Sequence, residues 1–298
     1  MRMRDLQTDP QTKWMAAMRR GDEAAAWAVS DAVLAARDPA TRDDPGMAYH
    51  LRWVWDGQPF DGRHVLVRCY HGLGDTLQFV RFLPALRARA ASVTLEVQPA
   101  LRGLLADAPG ADQVIAFDMA SPAPTSGCDI EIMELAHALR LPADAAPAPY
   151  LRVAAASAGG VGLCWQAGGW DAARSVPLAL LAPALPPVLA VRELVCLQPE
   201  PAPGWLRVRN PQGCGAAIAD TAALIAGLDL VVTVDTMVAH LAGALGVATW
   251  LLLKHDADWR WMRGRADSPW YPSMRLFRQP APGDWAGVAA EVRAAAAG

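Results

Sequence analysis

Two carboxylates in this chain stand where an α/β protein would use them. Asp75 closes the turn Cys69-Tyr70-His71-Gly72-Leu73-Gly74-Asp75, after the apolar run Val65-Leu66-Val67 and ahead of a helical run from Thr76. Asp235 follows Leu230-Val231-Val232-Thr233-Val234 and leads into Thr236, Met237 and a helical run that carries His240. In each case a strand delivers an acid to its carboxyl end and a helix starts beneath it. Ligands bind there in parallel sheets, because loop atoms and helix N-terminal amides converge on that point. A carboxylate in such a place can serve as a general base. The unpaired amides and positive dipole end of the second helix suit a phosphate, with Thr236 as a hydroxyl donor. Asp235 would repel a phosphate directly, so sugar hydroxyls beside it are the better partner.

Both acids also have a purely structural reading. Asp75 is a good helix N-cap, and its carboxylate would satisfy first-turn amides with no chemistry at all. Asp235 and Thr236 can likewise cap their helix, with His240 packed one turn further in. A third segment, Trp165-Gln166-Ala167-Gly168-Gly169-Trp170-Asp171-Ala172-Ala173-Arg174-Ser175-Val176-Pro177, comes after another strand-like run. It brings a guanidinium and a hydroxyl, Arg174 and Ser175, close to a helix start opened by Pro177, a phosphate-binding arrangement or an ordinary surface loop.

The elements that must hold these residues alternate along the chain. Residues 1–60 read as helical without strand alternation, and Asp22 stands ready to cap a run that ends before Asp38-Pro39. The stretch from Gly21 to Pro39 looks like the second helix of a tetratricopeptide repeat, and a single unit of that kind cannot build a solenoid, so it reads as a cap or repeat remnant. From His64 the pattern predicts strands at 64–69, 92–97 and 113–117 and helices at 76–89 and 100–108, with Pro84 bending the first helix. A Pro- and Ala-rich stretch over 142–158 reads as a linker. Beyond it strands are expected at 160–165, 194–198, 230–234 and 248–253, and helices at 178–185, 220–226 and 237–245. The expected organisation is therefore a helical segment over 1–60 and two parallel-sheet domains over 61–155 and 156–298, with a cleft between the two as the default site.

Composition bounds the possibilities. With 298 residues, 53% hydrophobic and 19% charged, the chain is long enough and apolar enough for two globular domains. A net charge of -3 gives no global attraction to nucleic acid. All but two of the 27 basic residues are Arg, Lys standing only at 13 and 254, which reads as compositional bias. The start Met1-Arg2-Met3-Arg4-Asp5 leads into polar residues and not into the apolar core of a secretory signal. The most apolar region, Ala222 to Leu253, is broken by Asp229, Asp235 and His240, so no transmembrane segment is expected. The five cysteines, at 69, 128, 164, 196 and 214, show neither a close pair nor a metal-ligand spacing, and a cytoplasmic protein is the simplest reading.

Taken together, Gly72-Leu73-Gly74-Asp75, Arg174-Ser175 and Asp235-Thr236-Met237-Val238-Ala239-His240-Leu241-Ala242 resemble the heptosyltransferase-like glycosyltransferases of the family 9 type, in particular the branch often fused to tetratricopeptide repeats. The similarity runs from about Trp53 to Trp285 and takes in Asp258-Trp259-Arg260-Trp261 and Asp267-Ser268-Pro269-Trp270-Tyr271-Pro272. The resemblance implies a GT-B fold, two Rossmann-like domains facing a cleft. It also implies inverting transfer of a heptose-like sugar from a nucleotide diphosphate sugar, typically ADP-heptose, to an acceptor hydroxyl. Asp75 would be the base, flanked on the acceptor side by His71, Gly72 and Gly74. Asp235, Thr236 and Met237 would hold donor sugar and phosphates, with Arg174, Ser175 and His240 beside them. Gln198 and the loop from Lys254 to Trp261 are candidates for ribose or base contacts, or are simply solvated.

On this reading the nucleotide sugar is a co-substrate and neither cofactor nor metal is needed, since amides and Arg would meet the departing diphosphate. The acceptor would be a glycan, a lipid-linked molecule or a protein, and a peripheral place at the inner membrane is compatible with that. Relatives commonly carry Gly or Ala where Met237 stands, and the loop from Trp165 to Ser175 is short beside theirs, so donor and acceptor are free to differ. A non-catalytic binding or scaffold protein of the same fold is the alternative from another class. A nucleotide-sugar epimerase would use His71 beside Asp75, whereas a nicotinamide dehydrogenase would want a third Gly where this turn carries an acid.

Overall fold

The computed structural model describes residues 9–146, 148–185 and 193–297. The chain divides into two compact units, Met1–Ala146 with Trp259–Arg263, and Pro147–Asp258 with Gly264–Gly298.

The first unit opens with two helices, α1 (Pro10–Arg19) and α2 (Glu23–Ala35). Asp22 caps α2, its carboxylate accepting from the Ala25 amide at 3.0 Å. Further along α2, Asp31 accepts from His137 and Arg140, and Glu23 accepts from the Ala143 amide at 2.8 Å, so the helical segment is tied to this unit by its charges. Then come β1 (His64–Arg68), α3 (Leu73–Phe79), α4 (Leu83–Arg87), β2 (Ser92–Val97), α5 (Pro99–Arg102), β3 (Gln113–Ala116), β4 (Asp129–Glu131) and α6 (Leu135–Leu139). The four strands form one parallel sheet in the order β3-β2-β1-β4, with Arg68 in register with Glu96 on one side and Glu131 on the other.

Three sequence expectations change here, one being that the helix expected over 100–108 ends at Arg102. The helix expected over 76–89 is two helices separated by a 3-10 turn at Val80–Phe82, and Pro84 opens the second helix instead of bending a continuous one. Proline lacks only an N–H that a first helical turn does not use, so an N-terminal place costs nothing. The first of these helices begins at Leu73, three residues earlier than expected, which moves Asp75 from the cap position into the first turn. Strand β4 is absent from the elements that the sequence pattern predicts. Its residues, Asp-Ile-Glu, carry no apolar run, and they are buried because Asp129 accepts from the buried Arg68 at 3.0 and 2.7 Å while Glu96 accepts from the same guanidinium at 3.1 Å. One Arg thus clips three neighbouring strands together, satisfying charges whose burial unpaired would be prohibitive.

The second unit contains β5 (Val161–Cys164), α7 (Leu178–Leu181), β6 (Leu194–Cys196), α8 (Ile218–Ala226), β7 (Leu230–Val234), α9 (Met237–Leu245), β8 (Thr249–Leu253), β9 (Met274–Arg278) and α10 (Trp285–Ala297). Its five strands are parallel in the order β6-β5-β7-β8-β9. Every residue of β5 and β7 is buried, the signature of a parallel sheet covered on both faces. Val288, Ala289 and Val292 of α10 pack with Val161, Leu163 and Phe277 in its core. β9 and α10 lie beyond the last element expected from the sequence, and complete this sheet and one of its covers.

Among the described residues no helix is long and apolar enough to cross a membrane.

Candidate functional site

In the first unit the acceptor-side residues gather at the carboxyl end of β1. The Cys69 amide still bonds the Glu96 carbonyl at 3.0 Å, after which the chain turns through Tyr70 and His71 to Gly72, the residue before α3. Asp75 curls back within the first helical turn, its Oδ2 accepting from the Gly72 amide at 2.8 Å, half of a capping box. The other oxygen, Oδ1, pairs with Nη2 of Arg260. The Asp75 side chain keeps 23% of its surface exposed while that of Arg260 keeps 8%, so the acid is partly exposed and its cation buried.

His71 and Glu131 look like an ion pair, Nε2 to Oε2 at 3.9 Å, yet burial acts on each in the neutral direction. Burial lowers the His71 pKa, outweighing the pull of Asp75, and raises that of Glu131 well above the ordinary carboxylate value. Glu131 accepts from the Met133 amide at 2.8 Å. The His71 carbonyl accepts from the Gln98 amide group at 2.8 Å, and Gln98 in turn accepts from the Thr76 hydroxyl at 3.0 Å, which pins the turn to β2's end.

In the second unit, Asp235, Thr236 and Arg174 come together at the carboxyl end of β7. Thr236 is the N-cap of α9, its hydroxyl oxygen accepting from the Val238 amide at 3.2 Å. Arg174 Nη1 donates to the Asp235 carbonyl at 2.8 Å, and its guanidinium lies 4.5 Å from the ring centre of Trp170. Asp171 lies 3.9 Å from Arg174 and accepts from Lys254 at 2.7 Å. The Lys254 hydrogen bond holds the Asp171 carboxyl below its ordinary range. Two cations therefore share one carboxylate beside a helix start, where an incoming anion would compete with Asp171 for them. Cys164, 3.9 Å from the Thr236 hydroxyl, is kept a thiol by burial, its pKa pushed up to about 11.

The remaining residues singled out in the sequence do structural work in this unit. Ser175 accepts from the Ala167 amide at 3.0 Å, closing the loop on itself. Gln198 is buried and its side-chain oxygen accepts from the amides of Trp165 and Gln166, both at 2.9 Å. His240 is buried with Nδ1 2.9 Å from the Tyr271 hydroxyl. Met237 is half-buried as the first residue of α9. Arg260 and Lys254 both lie in the loop expected to make ribose or base contacts, but the pairing of Arg260 with Asp75 and of Lys254 with Asp171 was not expected. An Arg set between two Trp, 259 and 261, signals a buried cation in need of an acid, but not which acid. Among the described residues no group of three or more His, Cys, Asp or Glu could hold a metal ion.

The fold is that of solved glycosyltransferases. The chain superposes on the ADP-heptose LPS heptosyltransferase II of E. coli with a TM-score of 0.55 at 14% identity, covering 78% of this chain and 98% of that one. A family 9 glycosyl transferase of Veillonella parvula gives 0.54 at 12% identity over 74% of this chain and 87% of that one. The iron-containing dodecameric glycosyltransferase TibC of enterotoxigenic E. coli gives 0.53 at 14% identity over 78% and 67%. In sequence, no family model matches the chain and no curated protein matches it. The likeness establishes the α/β fold of the GT-B heptosyltransferases, two parallel sheets with helices.

Proposed function

We propose that this protein is an inverting glycosyltransferase that moves a heptose-like sugar from a nucleotide diphosphate sugar, with ADP-heptose the leading candidate, to an acceptor hydroxyl. One observation carries the reading. In a fold shared with ADP-heptose transferases, each parallel sheet presents ligand-type residues at the carboxyl end of a central strand: a partly exposed carboxylate after β1, and a cation-flanked helix start after β7. Inversion needs a base for the acceptor proton and neutralisation of the charge that grows on the departing diphosphate. Asp75 takes the proton from the acceptor hydroxyl as that oxygen bonds the anomeric carbon. Arg174, Lys254 and the first amides of α9 receive the diphosphate, and Asp235 addresses sugar hydroxyls. His240, Ser175 and Gln198 act from behind, fixing α9 and the loop after β5. Because cations and amides meet the leaving group, the transfer is metal-independent and needs no cofactor beyond the nucleotide sugar.

The acceptor is a glycan, a lipid-linked molecule or a protein. Five free cysteines support a reducing compartment, and we place the reaction in the cytoplasm.

The experiment pairs binding with turnover. Thermal shift against a panel of nucleotide diphosphates and nucleotide sugars identifies the donor, and transfer is then measured with Asp75→Asn. Asparagine keeps an oxygen for Arg260 and removes the base, so a fall of about 10² to 10⁴ in kcat with unchanged nucleotide affinity is expected. Retained transfer by the variant would remove Asp75 as base, and stabilisation by no nucleotide would leave a binding or scaffold protein.

A further inference from the structure

We infer that Arg260 is the positioning residue of Asp75, delivered to it by a short return of the chain, Trp259–Arg263, into the first unit. This rests on the transferase reading above and adds to it a residue that acts through the base.

The return is brief. The chain leaves the second unit after Asp258, spends five residues in the first and resumes the second at Gly264. Those five residues are held on the helical segment. Trp259 packs edge-on against Trp14 of α1, ring centres 4.9 Å apart, and the Arg263 amide donates to the Arg19 carbonyl at 3.0 Å. Met262 takes a left-handed conformation, φ 45°, where a bulky side chain is strained. An outlier of that kind persists only where its surroundings over-determine it.

What the return delivers is a guanidinium with little freedom of its own. Its Nε donates to Gln78 Oε1 at 2.6 Å and its Nη2 pairs with Asp75 Oδ1, so one fork spans two residues three apart on the same face of α3. Its carbon lies 4.5 Å from the ring centre of Trp259 and 6.0 Å from that of Phe79. With Oδ2 already held by the Gly72 amide, both carboxylate oxygens are oriented, and the exposed edge of the acid points one way. A general base works only within hydrogen-bond reach of the proton it takes, so fixing its rotamer in advance removes an ordering cost from the transition state.

The test measures transfer by the full chain with Arg260→Lys, Arg260→Gln and Arg260→Ala, alone and combined with Asp75→Asn. Thermal shift with ADP serves as the check on folding. Arg260→Ala is expected to lower kcat by about 10- to 100-fold with the donor KM unchanged, Arg260→Lys to lose less, and added guanidinium ion to restore part of the loss. In the Asp75→Asn background the same substitutions should cost no further kcat, because their effect passes through the carboxylate. Should Arg260→Ala fail to fold, the Lys and Gln variants carry the comparison. A loss of equal size in the Asp75→Asn background, or a loss confined to KM, would overturn the assignment while leaving the transferase reading standing. Absence of transfer by the wild-type protein would remove both, and that outcome is distinct because it precedes any variant.

Discussion

Glu131 and His71 show how burial can undo what distance implies. The two side chains approach to 3.9 Å, yet burial raises the Glu131 pKa and lowers that of His71, disfavouring the charged form of each beside the turn before Asp75. The two have opposite pH signatures. The folded-state pKa of Glu131 is raised, so its contribution is fully present below the ordinary value of 4.5 and is lost as pH rises through the raised one. His71 is depressed, so its contribution is present above the ordinary value of 6.5 and is lost as pH falls through the lowered one. Glu131→Gln is neutral at every pH and can still accept from Met133, so it should flatten the loss of stability that sets in as pH rises above 4.5. Denaturant midpoints from pH 4 to 9 check this, and an unaltered slope over that range would mean that folding does not raise the Glu131 pKa.

At the scale of elements, the site residues depend on close approaches that small residues permit. Gly243 lies within α9, where Ala would be the better helix former, but a Cβ there would overlap the ring of Tyr271 and crowd Met274. Tyr271 is the residue that holds His240. Gly243→Ala should therefore destabilise by about 1–3 kcal/mol, as overpacking does, and not stabilise by the fraction of a kcal/mol its propensity gain offers. Urea unfolding measures which wins. Gly162 makes a similar approach inside β5, where a Cβ would come within 2.6 Å of Leu197 and Leu228. Both glycines are silent in the periodicity that identifies the elements around them. What they determine is how closely one element can lie on the next.

At the scale of the whole molecule, two units with separate sheets divide the labour of the proposed reaction. The proposed nucleotide ligands all lie in the second, on loops after β5, β7 and β8, so a nucleotide diphosphate should stabilise the protein by mass action. At a concentration 100 times Kd the expected gain is about 2.7 kcal/mol, read as a rise in melting temperature. Arg174→Ala should reduce that rise at fixed ADP by weakening binding, since a charged hydrogen bond is worth about 1.5–3 kcal/mol. Asp75→Asn should leave it intact. Equal stabilisation of the Arg174 variant would place the diphosphate elsewhere.

The alternation of buried strands with helical runs was legible in the sequence, and so was the placing of Asp75 and of Asp235-Thr236 at the ends of β1 and β7. Those features depend on periods of two and 3.6 residues and on the residues that end an apolar run, all of which are local. Tertiary structure alone decided that Asp75 sits within a helical turn and not at its cap, that Arg68 calls a polar segment into the sheet as β4, and that the buried His240 has the Tyr271 hydroxyl as a hydrogen-bond partner. It also decided that Asp75 meets an Arg 185 residues away. A side chain's partner across such a separation depends on how the chain returns, and no local period carries that information.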